Sequence, residues 1–349
     1  MRDRTRLGAA ALTCAGLMLA TLSVTPASAW DRGVVETFAV LPAGTPMIEG
    51  LTVARDGNVY VTTFDPASTT GAPALLFVFN DNGELLRRVT IAGSSPATLG
   101  LAFHPTTHAL LVVDFGAGNV RSVDPNTGTS SVCITLTSPP QTPGLNALTF
   151  DAAGNTYISD SFNGIIWKKS GAGCGAATAW VGPDPLLQPH GVPGFGANGL
   201  QFNKHETALF VANTADDLLV KIPVTRGTPG TPEAFTYSIN GADGIVLDRN
   251  DNIWAVANQA DEIVIVDPSG KAIAKLGDFD GVENGVTRGL LFPASPDFSK
   301  DGKWLFVTNL ELDLRSIGGP QTVDSQWAAQ VQRHSIAKLR ASIPPIRGE

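Results

Sequence analysis

Short runs of β-branched, aromatic and Leu residues, broken by Asp, Asn, Gly and Pro, fill the chain. Six of them open alike, with a variable residue, a small residue and then an apolar one. The openings are Glu49-Gly50-Leu51, Leu99-Gly100-Leu101, Asn146-Ala147-Leu148, Asn198-Gly199-Leu200, Asp243-Gly244-Ile245 and Arg288-Gly289-Leu290. Successive spacings are 50, 47, 52, 45 and 45 residues. A repeat of that length built from strands predicts the blades of a radial β-propeller and not a helical solenoid.

Within a unit, the first run gives way to an Asp/Asn/Gly turn and a second β-rich run that ends on a polar residue. Asn146 to Phe150 turns over Asp151 to Asn155 and resumes to Asp160; Asp243 to Leu247 turns over Asp248 to Asn252 and resumes to Asn258. A third run, such as Asn119 to Asp124 or Glu262 to Asp267, precedes the next hairpin. Each unit therefore reads as an antiparallel meander that cannot bury both faces alone, so neighbours must stack around an axis. The predicted fold is all-β, a six-bladed β-propeller of four-stranded antiparallel blades over residues 30–342. The run Gly33 to Val40, which precedes the first repeat, is expected to close the ring as the outer strand of the sixth blade.

Composition adds a compartment. Arg2, Arg4 and Arg6 precede an Ala- and Leu-rich stretch from Leu7 to Val24 and then Ala27-Ser28-Ala29, the order of a secretory signal peptide over residues 1–29 with cleavage before Trp30. That stretch is also near the lower length limit of a membrane anchor, and no later run is long and apolar enough to span a bilayer. Without the three Arg and one Asp of the signal, the net charge of −8 becomes −10. An acidic export product without clustered Lys or Arg is a poor partner for nucleic acid or anionic membrane. A secreted or periplasmic location permits a bridge between Cys133 and Cys174, in outward portions of adjacent units, although two separate thiols also fit the sequence. No Gly-rich turn leads from a strand into a helix, which argues against a nucleotide cofactor. Residues 343–349, with two prolines, read as a disordered tail.

Chemistry enters through the opening residues. In a propeller the innermost strands line the axial tunnel, and their first residues converge at one mouth; here that ring reads Glu49, Leu99, Asn146, Asn198, Asp243 and Arg288. Burying two carboxylates is costly unless a cation compensates. A divalent ion neutralises Glu49 and Asp243, and the amide oxygens of Asn146 and Asn198 complete an all-oxygen set. Oxygen donors without His or Cys favour calcium, with magnesium and manganese next and zinc least suited. Four protein oxygens leave positions open for water or substrate.

The phrases Glu-Gly, Asn followed by Asp-x-x-Gly-Asn, Asn-Gly-Leu, and Asp-Gly followed by Asn-x-Trp resemble the senescence marker protein/gluconolactonase (regucalcin-like) family of six-bladed propellers. They are also similar to the diisopropylfluorophosphatase and paraoxonase groups. The resemblance runs from Glu49 to Trp304. It implies that Glu49, Asn146, Asn198 and Asp243 are ligands of a catalytic calcium or related ion, that Asp243 is also general base or nucleophile, and that lactones or phosphotriesters are hydrolysed. Family members acting on sugar lactones often carry an Arg two residues before the first Asn; Gly144 stands there, which favours a less polar substrate.

Two further residues are candidates for substrate binding. Arg288 is expected to bind a carboxylate or to form a structural ion pair. His190, in the segment Leu186 to Gly196, is expected either to overhang the mouth and shuttle protons or to be an exposed turn residue. The long connection from Leu310 to Gln326 reads as a lid or a surface insertion. Asp160, Asn213, Asn258 and Asn309, at the ends of second strands, read as turn formers, some of which hydrogen-bond the ligands. The expected function is an exported calcium-dependent lactonase or esterase acting on small molecules. The alternative is a non-catalytic propeller that binds a ligand or protein partner and keeps a structural axial metal. The oligomeric state is left open.

Overall fold

The computed structural model describes residues 32–343, so the predicted signal segment 1–29 and residues 344–349 of the predicted tail lie outside the described residues. Antiparallel four-stranded meanders follow one another along the chain, as in Ile48–Val53, Val59–Thr63, Leu75–Phe79 and Leu85–Thr90. Later meanders begin with inner strands Thr98–Phe103, Leu145–Phe150, Ala197–Phe202 and Ala242–Leu247. The last sheet runs Pro293–Phe298, Trp304–Asn309, Ser335–Arg340, and takes its fourth strand from Val35–Val40, which pairs antiparallel with Ser335–Arg340. Inner strands touch in cyclic order, and Pro293–Phe298 meets Ile48–Val53 again. The architecture is propeller-type.

Burial explains the pattern. Second strands such as Val59–Thr63, Leu110–Asp114 and Ile253–Ala257 are buried at every residue because sheets pack on both of their faces. Outer strands such as Leu85–Thr90 face solvent and carry Arg and Thr. Between the second and third meanders, Gly175–Val181 pairs in parallel with Ser130–Leu136, and there Cys133 and Cys174 form a disulfide.

Every inner strand is irregular at the same place. Pairing with the second strand shifts register between Ile48 and Leu51, Thr98 and Leu101, Leu145 and Leu148, Ala197 and Leu200, Ala242 and Ile245, and Pro293 and Pro296. A β-bulge bends a strand and re-aims the side chains within it. The bulged residues are the opening phrases, and small residues there let the strands crowd the axis. A Cβ on Gly50 would lie 2.2 Å from the Leu99 carbonyl oxygen, and one on Gly199 2.5 Å from that of Asp243.

The sixth phrase needs correction. In the sixth inner strand the bulge falls on Ala294 and Ser295, so Ala294 takes the place assigned to Arg288. Arg288-Gly289 instead ends a separate hairpin, Phe279–Glu283 with Val286–Gly289, inserted before that strand. The hairpin supports the long last connection. Trp327, in the short helix Val323–Ala328, packs on Phe279 at 5.2 Å between ring centroids, and buried Glu311 bonds both Thr287 of the hairpin and His334. Among the described residues no helix is long and apolar enough to cross a membrane.

Candidate metal and catalytic site

Six polar side chains, Glu49, Asn146, Asn198, Asp243, Asn258 and Thr214, line one chamber at the centre of the ring of inner strands. The first four come from the bulges of four different inner strands, and Asn258 follows the second strand Ile253–Ala257. Leu99 and Phe292 add apolar wall. Glu49 and Asp243 are 5% and 4% exposed, so two carboxylates are held together away from water.

That burial is poorly compensated by the protein. Among the described residues, five buried side-chain oxygens or nitrogens lack a hydrogen-bond partner, and four of them are Glu49 Oε2, Asn146 Oδ1, Asp243 Oδ1 and Asn258 Oδ1. Native proteins leave few such groups unpaired, and clusters of them point to an ion or ordered water. Burial pushes the Glu49 carboxyl well above its usual range, and the neighbouring Asp243 charge adds to the rise. Burial likewise raises Asp243, while hydrogen bonds from Asn258 and Asn198 oppose the shift. Two acids and two amides with orphaned oxygens are what a hard divalent cation would satisfy, so the residues fit such an ion. Among the described residues no group of three or more His, Cys, Asp or Glu is placed to hold a metal ion, so an ion here would depend on the amide oxygens as well as the two acids.

Hydrogen bonds fix the set. Asn258 Nδ2 donates to Asp243 Oδ2 at 3.1 Å, leaving Asp243 Oδ1 unpaired. Asn198 Nδ2 donates to Thr214 Oγ1 at 2.9 Å, and that hydroxyl donates to the Ala242 carbonyl at 2.7 Å, beside Asp243. Hydroxyls within second strands also brace the ring, Thr62 donating to the Leu99 carbonyl at 2.9 Å and Thr308 to that of Glu49 at 2.6 Å. Sequence reasoning did not find these braces. Their signal was the recurrence of Thr late in second strands.

The remaining candidates lie elsewhere. Arg288 is exposed, pairs with Glu283 at 3.0 Å and does not line the chamber, so it is neither at the mouth nor in an ion pair beneath the site. His190 is 59% exposed in its side chain, pairs with Asp216 at 2.7 Å, and does not line the chamber. Of the strand-ending residues only Asn258 reaches a ring acid. Asp160 accepts from the Gly144 amide at 2.9 Å, Asn213 donates to the Leu186 and Gln188 carbonyls, each at 2.9 Å, and Asn309 donates to that of Gly289 at 3.2 Å. The long last connection does reach the site, where Leu310, Leu312 and Ile317 form part of the chamber wall.

A family model described as the SMP-30/gluconolactonase/LRE-like region matches residues 96–277. The chain belongs to that family. No curated protein matches the sequence significantly. Among solved structures, the calcium-binding protein regucalcin from Agrobacterium tumefaciens is similar, with 17% identity, a TM-score of 0.58, and coverage of 89% of this chain and 99% of the other. A luciferin-regenerating enzyme has 12% identity, a TM-score of 0.60, and coverage of 90% and 98%. A gluconolactonase from Xanthomonas campestris has 13% identity, a TM-score of 0.55, and coverage of 91% and 98%. Identities this low carry the fold across the SMP-30/gluconolactonase family and leave activity to be argued from the site.

Proposed function

We infer that the protein is an exported, calcium-dependent hydrolase of lactones or related esters, with phosphotriesters as secondary substrates, built on six blades closed by the strand Val35–Val40. The observation that carries this reading is the cluster of orphaned oxygens on Glu49, Asn146, Asp243 and Asn258 in one chamber. The family's gluconolactonase members and the calcium-binding regucalcin support the reaction class and the ion. The disulfide Cys133–Cys174 supports export, since such bridges persist in oxidising compartments.

Glu49, Asn146, Asn198 and Asp243 would hold the ion, with Asn258 beside them. A divalent cation there would supply a positive charge against the negative charge that develops on a carbonyl or phosphoryl oxygen. The chain's own contribution centres on Asp243. Its Oδ2 is anchored by Asn258, so the free Oδ1 has a fixed direction from which to take a proton from water or attack the acyl carbon. Apolar neighbours such as Leu99, Phe292 and Leu312 restrict bulk water around that oxygen.

The test is hydrolysis of a panel of lactones and aryl esters by the mature protein. Chelation should abolish turnover and calcium restore it, and Asp243→Asn should lower kcat about 100-fold to 10,000-fold while calcium binding, measured by calorimetry, persists in weakened form. Calcium that raises the melting temperature without any turnover on the panel would make the ion structural and the protein a binding module.

A further inference from the structure

Beyond the polar chamber the cavity widens into a vestibule open to solvent, and the two compartments share Phe64, Pro193, Phe195 and Ile317. All twelve residues lining the vestibule are Phe, Pro, Val, Ile or Gly, so no side chain there offers a hydroxyl, amide, guanidinium, imidazole or carboxylate. Its wall is an aromatic cluster. Phe115 lies 5.9 Å from Phe64, 5.6 Å from Phe162 and 6.0 Å from Phe195, and Phe162 lies 5.3 Å from Phe195, between ring centroids.

These rings are placed by the same part of successive sheets. Phe64 and Phe115 directly follow the second strands Val59–Thr63 and Leu110–Asp114, Phe162 follows Thr156–Asp160 after one residue, and Phe195 precedes the inner strand Ala197–Phe202. Phe162 also fills the space beside Gly144, where a Cβ would come within 2.6 Å of its ring. Phe115, Phe162 and Phe195 are only half-buried, and Val192 at the rim is 50% exposed. Grouped apolar side chains left partly in water, continuous with a polar chamber, are the features of a binding cleft.

We propose that this vestibule binds an apolar chain on the substrate, so that the hydrolase acts on lactones bearing an alkyl substituent and discriminates against polyhydroxylated sugar lactones. The proposal rests on the reading of the inner chamber as a hydrolytic site. An alkyl chain exchanges water for aromatic surface there, whereas sugar hydroxyls meet no polar side chain and only backbone groups to replace their water partners. Each methylene that reaches the wall should raise kcat/KM about 4-fold, and glucono-δ-lactone should be turned over more slowly than any γ-lactone with a butyl or longer chain.

The experiment uses mature protein with calcium and γ-lactones from unsubstituted to hexyl-substituted, beside glucono-δ-lactone. Calorimetric binding of the matching 4-hydroxyalkanoates and of gluconate is measured in parallel. Phe115→Ala should flatten the dependence of kcat/KM and of affinity on chain length. Val192→Ser, at a rim position 50% exposed, should lower both for the hexyl compound about 2-fold to 4-fold. Turnover that is independent of chain length, or that favours the sugar lactone, overturns the vestibule proposal and leaves the hydrolase reading standing. Absent turnover, with chain-length-dependent binding that Val192→Ser weakens, removes the hydrolase reading and supports the vestibule. Absent turnover together with chain-length-independent binding overturns both.

Discussion

Asn258 shows how one side chain can belong to a site without sharing its motif. It sits outside the opening phrases, yet its amide nitrogen holds Asp243 and its oxygen is one of the four orphans of the chamber. Removing it frees the Asp243 carboxylate to rotate and deletes an unpaired oxygen from the chamber. Asn258→Ala should therefore weaken calcium binding about 10-fold to 100-fold, measured by calorimetric titration, with little change in the unfolding curve of the calcium-free protein. The four polar residues of the ring were legible because each stands in a phrase whose other members are small and apolar. Asn258 was not distinguishable from Asp160, Asn213 and Asn309, which occupy the same place in their units and secure loop backbone instead. Which strand end faces an acid depends on whether the facing ring residue is an acid, a relation across two strands that no single stretch of sequence contains.

At the scale of the element, the bulged inner strand converts an ordinary edge of sheet into a ring of aimed side chains. The conversion depends on small residues, since Gly50 approaches the Leu99 carbonyl too closely for any Cβ. Gly50→Ala must push the first and second inner strands apart, and it should cost about 1–3 kcal/mol of stability by chemical denaturation. It should also weaken calcium binding, because Glu49 is the adjacent residue. The bulge also shows why Arg288 was misplaced. Arg-Gly-Leu matches the phrase in its letters, but Gly289 serves a hairpin at φ of +80°, and the sixth bulge lies at Ala294-Ser295, which shares no letters with the phrase. A backbone irregularity is defined by its pairing with the neighbouring strand, and local residues report it only where they happen to repeat the phrase.

At the scale of the molecule, the contact between the last and first inner strands is where a ring of sheets can open. Asp297, on the last inner strand, accepts from the Val53 amide at 2.8 Å and from Thr52 Oγ1 at 3.3 Å on the first. Burial pushes its carboxyl from 3.8 up to about 6 in the folded protein, against the opposing pull of those hydrogen bonds. A carboxyl raised in this way favours the folded state when protonated. Its contribution is complete below about pH 4 and is lost as pH rises through about 6, by no more than about 3 kcal/mol. Asp297→Asn should flatten that part of the stability profile, read as the difference from wild type in urea unfolding at pH 4 and pH 7 with calcium saturating. An unchanged slope would place the pH dependence in other buried acids such as Asp261, which burial also raises to about 7.

Strand periodicity, the repeat length and the four polar residues that meet in the chamber were all written in the sequence, because each arises from residues close together in a unit and recurs from unit to unit. The family resemblance rests on the same repetition. Tertiary structure alone decided that Ala294 and not Arg288 completes the ring, that Asn258 joins the acids, that His190 turns to Asp216, and that rings from separate loops form one apolar vestibule. Those outcomes come from segments that meet only when the sheets stack. Charge and hydrophobicity along the chain say what each segment tends to bury, and the stacking determines what it is buried against.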